Sequence, residues 1–152
     1  MPTDTKAQSR TDMLLTRMTQ GDDMFNARAW EGLESVHHPD MIAFITGSAD
    51  PLYGREAHGA AMQQLVKMFP DVRVHLPYPI QFGQGDWITV VTNVSGTFTG
   101  EMATPDGKVV PPTGKPFDLE FGQTSKWKDD RLVTISAFWD AALMNRQIGL
   151  AP

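Results

Sequence analysis

The sequence contains no cysteine, which excludes disulfides, thiol nucleophiles and cysteine-ligated metals. Positive charge is in short supply: 13 Lys and Arg against 18 Asp and Glu give a formal net charge of -5. A basic face for nucleic acid is therefore not expected. No apolar run approaches the roughly 18 residues of a membrane helix. The first ten residues, MPTDTKAQSR, lack the apolar core of a signal peptide. The expectation is a cytoplasmic protein with no nucleic-acid or membrane partner. Internal repeats, linkers and low-complexity tracts are also missing. What is present is ordinary for a globular chain: 152 residues, 41% hydrophobic and 20% charged, enough for one domain around one core.

Residues 1–10 read as a polar tail and 11–152 as a single domain. A helix is expected from Thr11, with Leu14, Met18 and Phe25 on one stripe and Gly21-Asp22-Asp23 as a loosening. A short second helix carries Trp30, Leu33 and Val36 and ends at His37-His38-Pro39-Asp40. Met41 to Ile45 is a short strand. Arg55 to Phe69 is a third helix, with Ala57, Ala60, Ala61, Leu65, Met68 and Phe69 on or near the side towards the core. The period then changes to two, over Val72 to Leu76, Ile88 to Ser95, Phe117 to Lys128 and Leu132 to Trp139. Between the second and third of these, Ala103 to Lys115 reads as a Pro/Gly-rich loop. Asp140 opens a final helix, Ala141 to Gln147, with Gly149 as its cap. Helices first and strands later indicate an α+β fold: a cone-shaped barrel whose curved, mostly antiparallel sheet wraps the N-terminal helices around an apolar pocket.

The last hairpin is the most informative segment. One face of its first strand carries Asp118, Glu120, Lys126 and Lys128. The other carries Phe117, Leu119, Phe121, Gln123, Ser125 and Trp127. A three-residue turn at Asp129 to Arg131 would continue the apolar face through Val133, Ile135, Ala137 and Trp139, and leave Leu132, Ser136 and Phe138 outside. Such a wall suits an apolar ligand, and equally an ordinary core under the helices. Gln123, opposite Ala137, is its main polar interruption, and a buried amide needs partners. The nine methionines suit an adaptable cavity or a plain core.

Four stretches resemble the SnoaL-like polyketide cyclases. They are His38-Pro39-Asp40, Phe69-Pro70-Asp71, Gly96-Thr97-Phe98-Thr99-Gly100 with Pro111-Pro112-Thr113-Gly114-Lys115 after it, and the tail from Trp139-Asp140 to Arg146-Gln147-Ile148-Gly149-Leu150. The resemblance implies the fold of nuclear transport factor 2 and its relatives, and a homodimer packed sheet to sheet. It further implies ring closure by an intramolecular aldol step without metal or organic cofactor, driven by an aspartate on the last strand. Here that aspartate's position holds Ala137. The positions of the accompanying asparagine, glutamine and histidine hold Ala43, Phe121 and Gln123, and Phe98 replaces a histidine of the glycine run.

Two readings follow. One is a cofactor-independent enzyme of cyclase, isomerase or hydratase type acting on a hydrophobic polyketide-like or cyclic molecule. The other is a non-catalytic binding or dimeric accessory protein. Candidate catalytic side chains are Gln123, Asp140 and His38. Candidate substrate-binding positions are Phe25, Ala43, Thr92, Phe98, Phe121, Trp127, Ala137 and Trp139. Asp140 equally fits a helix N-cap. His37 and His38 are adjacent and point different ways, with no ligand spacing around them, so no metal is expected. His58 and His75 read as isolated and exposed. The enzyme reading requires a titratable group facing the cavity.

Overall fold

A computed structural model describes residues 5–150. The element order is α1 (Thr5–Asn26), α2 (Trp30–Glu34), β1 (His37–Ile45), β2 (Leu52–Tyr53), α3 (Arg55–Met68), β3 (Arg73–Val74), β4 (Ile80–Gln84), β5 (Trp87–Thr97), β6 (Met102–Ala103), β7 (Val109–Val110), β8 (Pro116–Lys128), β9 (Arg131–Phe138) and α4 (Ala141–Gln147). The main sheet runs β2-β1-β9-β8-β5-β3, with β4 also on β5. Every pairing is antiparallel except β1 with β9. The α+β expectation holds, but the sheet curves without closing into a barrel, because the short strands β2 and β3 end it. No helix among the described residues is long and apolar enough to cross a membrane.

Helix α1 begins at Thr5, inside the stretch read as a tail; residues 1–4 of that tail lie outside the described residues. It also runs unbroken through Gly21-Asp22-Asp23. Gly21 lies beside Val36 and Leu33, and a Cβ on it would make ordinary van der Waals contact with both. Leu14, Met18, Asp22 and Phe25 form the helix's buried stripe. Arg17 fixes the helix from outside by donating to the carbonyls of Asp130 and Ser35 at 3.2 and 2.9 Å. At its end the Asn26 side chain behaves like a strand neighbour, bonding both N and O of Val74 at 2.8 Å.

The final hairpin turns on two residues rather than three: Lys128 pairs with Arg131, and Trp127 with Leu132. Leu132 is therefore buried inside rather than on the outer face. A bulge between Lys126 and Trp127 then absorbs one residue. Beyond it Ser125 faces Ile135 and Gln123 faces Ala137, the register expected from the apolar alternation. The Ala103 to Lys115 loop contains the small β6-β7 hairpin, and β4 is an additional strand. His37 to Asp40 belong to β1 rather than closing a helix. Gly149, at φ 79°, ends α4, with Leu150 N donating to Asn145 O at 2.8 Å.

Along α3, Leu65, Met68 and Phe69 face inward as the sequence suggests, joined by His58 and Met62, whereas Ala60 is exposed. Gly100 positions the end of α3. The Gly100 amide donates to Met68 O at 3.0 Å, and a Cβ on Gly100 would lie 1.7 Å from the backbone oxygen of Lys67. Gly100→Ala is predicted to destabilise the fold by about 3 kcal/mol. Gly59→Ala, in open space on the same helix, should instead stabilise it by about 0.5–1 kcal/mol. Urea unfolding of both variants checks the pair; equal effects would contradict this packing.

Candidate active site

Between α1, α3 and the concave face of the sheet lies a cavity of about 230 Å³. Helix α1 supplies Met18, Asp22 and Phe25, and α3 supplies His58, Met62, Leu65 and Met68. The sheet side contributes Phe117, Leu119, Phe121, Gln123, Ala137 and, just past β9, Trp139; His37 comes from the start of β1. The wall is apolar apart from Asp22, Gln123, His37 and His58.

Asp22 organises the largest polar group. The Tyr78 hydroxyl donates to its Oδ2 at 2.5 Å and the Gln123 Nε2 donates to the same oxygen at 3.1 Å. Tyr78 Oη also lies 3.2 Å from Met18 O. Among the described residues both hydrogen bonds to this carboxylate fall on Oδ2, which leaves Oδ1 without one. Burial pushes the Asp22 carboxyl up from 3.8 to about 6; the Tyr78 and Gln123 hydrogen bonds oppose the rise and Asp23 adds to it. Burial, together with the neighbouring carboxylate, holds Tyr78 protonated.

His37 and His58 form a second polar spot. Their rings meet edge to face with centroids 5.0 Å apart. Burial lowers His58 to about 4 and His37 to about 3, with His58, Arg55 and Arg17 reinforcing the effect on His37. His58 Nδ1 is buried and has no hydrogen-bond partner, a deficit that costs about 1–3 kcal/mol. Among the described residues no three His, Asp or Glu side chains converge as a metal site.

The residues proposed from sequence divide clearly. Phe25, Phe121, Gln123, Ala137 and Trp139 line the cavity. Ala43, Thr92, Phe98 and Trp127 are buried but do not reach it. Thr92 instead bonds His75 O at 2.7 Å, Phe98 packs on Phe69, and Trp127 donates to Ser125 Oγ at 2.9 Å. Asp140 is the N-cap of α4, accepting from Leu143 N at 2.9 Å. His38 does not line the cavity; its Nδ1 accepts from Asp40 N at 3.1 Å. His58, read as exposed, is buried, and His75 is half-buried against Ser95 Oγ at 2.7 Å.

Asp22, His37, His58 and Tyr78 are absent from the sequence-based candidates. Asp22 carried a signal: a carboxylate on an apolar stripe, four residues after Met18 and three before Phe25. His58 carried the same one, four residues before Met62. Tyr78 sits in an irregular Pro-rich segment, where no periodicity reports which way it points.

A family model for SnoaL-like polyketide cyclases matches residues 16–148. The chain belongs to the SnoaL-like polyketide cyclase family. Solved structures agree on the fold of this SnoaL-like protein. A candidate SnoaL-like polyketide cyclase from Jannaschia sp. CCS1 is 15% identical, with TM-score 0.81 over 100% of this chain and 99% of that one. IdmH, a candidate polyketide cyclase from Streptomyces antibioticus, is 24% identical, with TM-score 0.73 over 88% and 96%. An NTF2-like protein from Burkholderia xenovorans LB400 is 18% identical, with TM-score 0.66 over 91% and 97%. No curated protein matches the chain significantly.

The titrations predict how stability varies with pH. His37 and His58 are neutral in the fold but gain protons near 6.5 when unfolded, so stability falls as pH drops from 6.5 towards 4. Asp22 works the other way between about 6 and 3.8, over a smaller displacement. His58→Phe should therefore gain on the wild type by about 2–3 kcal/mol between pH 7.5 and 4.5. Urea unfolding at the two pH values measures this; a constant difference would mean that His58 is not held neutral.

Proposed function

We propose that this SnoaL-like protein is a cofactor-independent enzyme of cyclase or isomerase type, acting on an apolar, cyclic or polyketide-like small molecule, with Asp22 as general acid/base. The observation that carries the proposal is the Asp22 carboxyl in an apolar cavity, near neutrality and with Oδ1 free of protein partners. A carboxyl that titrates close to working pH can both take and return a proton. The cavity wall provides the match for an apolar substrate.

The site also suits the substitution at Ala137. Gln123 lies directly across from Ala137 and bonds Asp22. Asp22 thus brings a carboxylate from α1 to within one amide of the position where family resemblance implies one from the last strand. Tyr78 and Gln123 act as positioning residues, since each spends a hydrogen on Oδ2. In the reaction, Asp22 Oδ1 would take a proton from carbon next to a substrate carbonyl. The C–H electron pair becomes the enolate, which attacks a second carbonyl or is reprotonated at another carbon. Outside the cavity, exposed Phe44, Phe138 and Trp87 on sheet strands support pairing of two copies through the sheets.

Exchange of the α-hydrogens of 2-tetralone in D2O, followed by NMR, tests this proton transfer without knowledge of the natural substrate. The wild type should accelerate exchange, with a rate that rises through about pH 6. Asp22→Asn should lower it by about 10²–10⁴-fold, and Tyr78→Phe should shift its pH profile. A ketone that binds without accelerated exchange, or exchange untouched by Asp22→Asn, would favour the non-catalytic binding protein.

A further inference from the structure

We propose that the His37–His58 pair is a second recognition point in the same cavity, taking a neutral hydroxyl or carbonyl oxygen of the bound molecule. The inference rests on the cavity being the ligand site, but not on Asp22 being the acid/base.

Three observations carry it. Both rings belong to the cavity wall, although they come from different elements, β1 and α3. They are the only imidazoles there, in a wall otherwise built of apolar side chains apart from the Asp22–Gln123 group. His58 Nδ1 is the buried side-chain polar atom that the described protein leaves unpaired. Edge-to-face packing against His37 does not satisfy it. Nδ1 itself exposes almost no surface, to the cavity included, so a ligand oxygen would meet the ring through Nε2, which is neither closed off in this way nor hydrogen-bonded within the described protein.

The chemistry of the pair selects the kind of oxygen. Both imidazoles are held neutral by burial, and the cations Arg17 and Arg55 near His37 strengthen that state. Those arginines are themselves occupied with backbone carbonyls of Ser35, Asp130 and Glu34. A neutral imidazole offers one donor and one acceptor, which fits a hydroxyl, phenol or ketone. It does not compensate the desolvation of a carboxylate or phosphate. The cavity then has two poles, a carboxyl–phenol–amide group and an imidazole pair, joined by apolar wall. The ligand class is an uncharged ring compound with oxygen functions at two separated positions.

The test uses 2,6-dihydroxynaphthalene and naphthalene as probes of the full chain. With histidine ¹⁵N-labelled, the diol should shift a ring nitrogen of His58 and naphthalene should not. In titrations, His58→Phe should weaken diol binding about tenfold and change naphthalene binding less than twofold, which also reports that the cavity is intact. The His58 ¹⁵N response should persist in Asp22→Asn. A diol that leaves the His58 nitrogens unmoved in wild type, that binds His58→Phe as well as wild type, or that does not bind at all overturns the inference. The wild-type spectrum decides alone if the variant does not fold. Loss of the response only in Asp22→Asn would assign the oxygen to Asp22 and leave the acid/base reading standing.

Discussion

A carboxylate taken out of water needs partners, and in this fold Asp22 has two, the Tyr78 phenol and the Gln123 amide. The arrangement ties three parts of the chain to one oxygen: α1, the irregular segment before β4, and the middle of β8. Those two bonds fix the polar end of the cavity. The constraint is also costly. Raising the carboxyl from 3.8 to about 6 corresponds to about 3 kcal/mol against the ionised form at neutral pH. A leucine at this stripe position would avoid that cost, so the sequence gives up stability at the point where it gains an ionisable group. Such a trade is the usual mark of a site rather than of a core.

The scaffold explains how the group is held still. Asn26 pins the end of α1 to Val74, and Arg17 fixes its outer side to the α2 end and the β8-β9 turn. On the opposite wall the bulge at Lys126–Trp127 sets which residues of β8 and β9 face inward. With it, Gln123 and Ala137 are inside and opposed; without that shift Ser136 rather than Ala137 would stand across from Gln123. In the proposed reading the acid/base group arrives from a helix, as Asp22, instead of from the last strand, where Ala137 stands. The fold is shared with solved structures of the family, whereas chemistry depends on the side chains that each chain places in its cavity.

What could be read in the sequence follows the same division. Strand alternation over Phe117 to Lys128 identified the inner wall, and family motifs identified the fold, because both are local patterns repeated along the chain. The turn was misjudged by one residue, yet Gln123 still faced Ala137, since burial of the apolar face overrides turn length. Asp22 and His58 were hidden for the opposite reason. A polar residue on an apolar helix stripe looks like a break in the pattern, so Gly21-Asp22-Asp23 read as a loosened helix and His58 as surface. Tyr78 was beyond sequence reasoning, because its position depends on a fold-back across 56 to 60 residues onto Asp22 and Met18.

The most direct measurement is the titration of the Asp22 carboxyl itself, by ¹³C NMR of aspartate-labelled protein with Asp22→Asn to assign the signal. The account predicts a midpoint near pH 6, well above the ordinary 3.8. A midpoint at the ordinary 3.8 would mean that Asp22 lies in contact with water, and would contradict the cavity, the hydrogen-bonded carboxyl and the chemistry built on them.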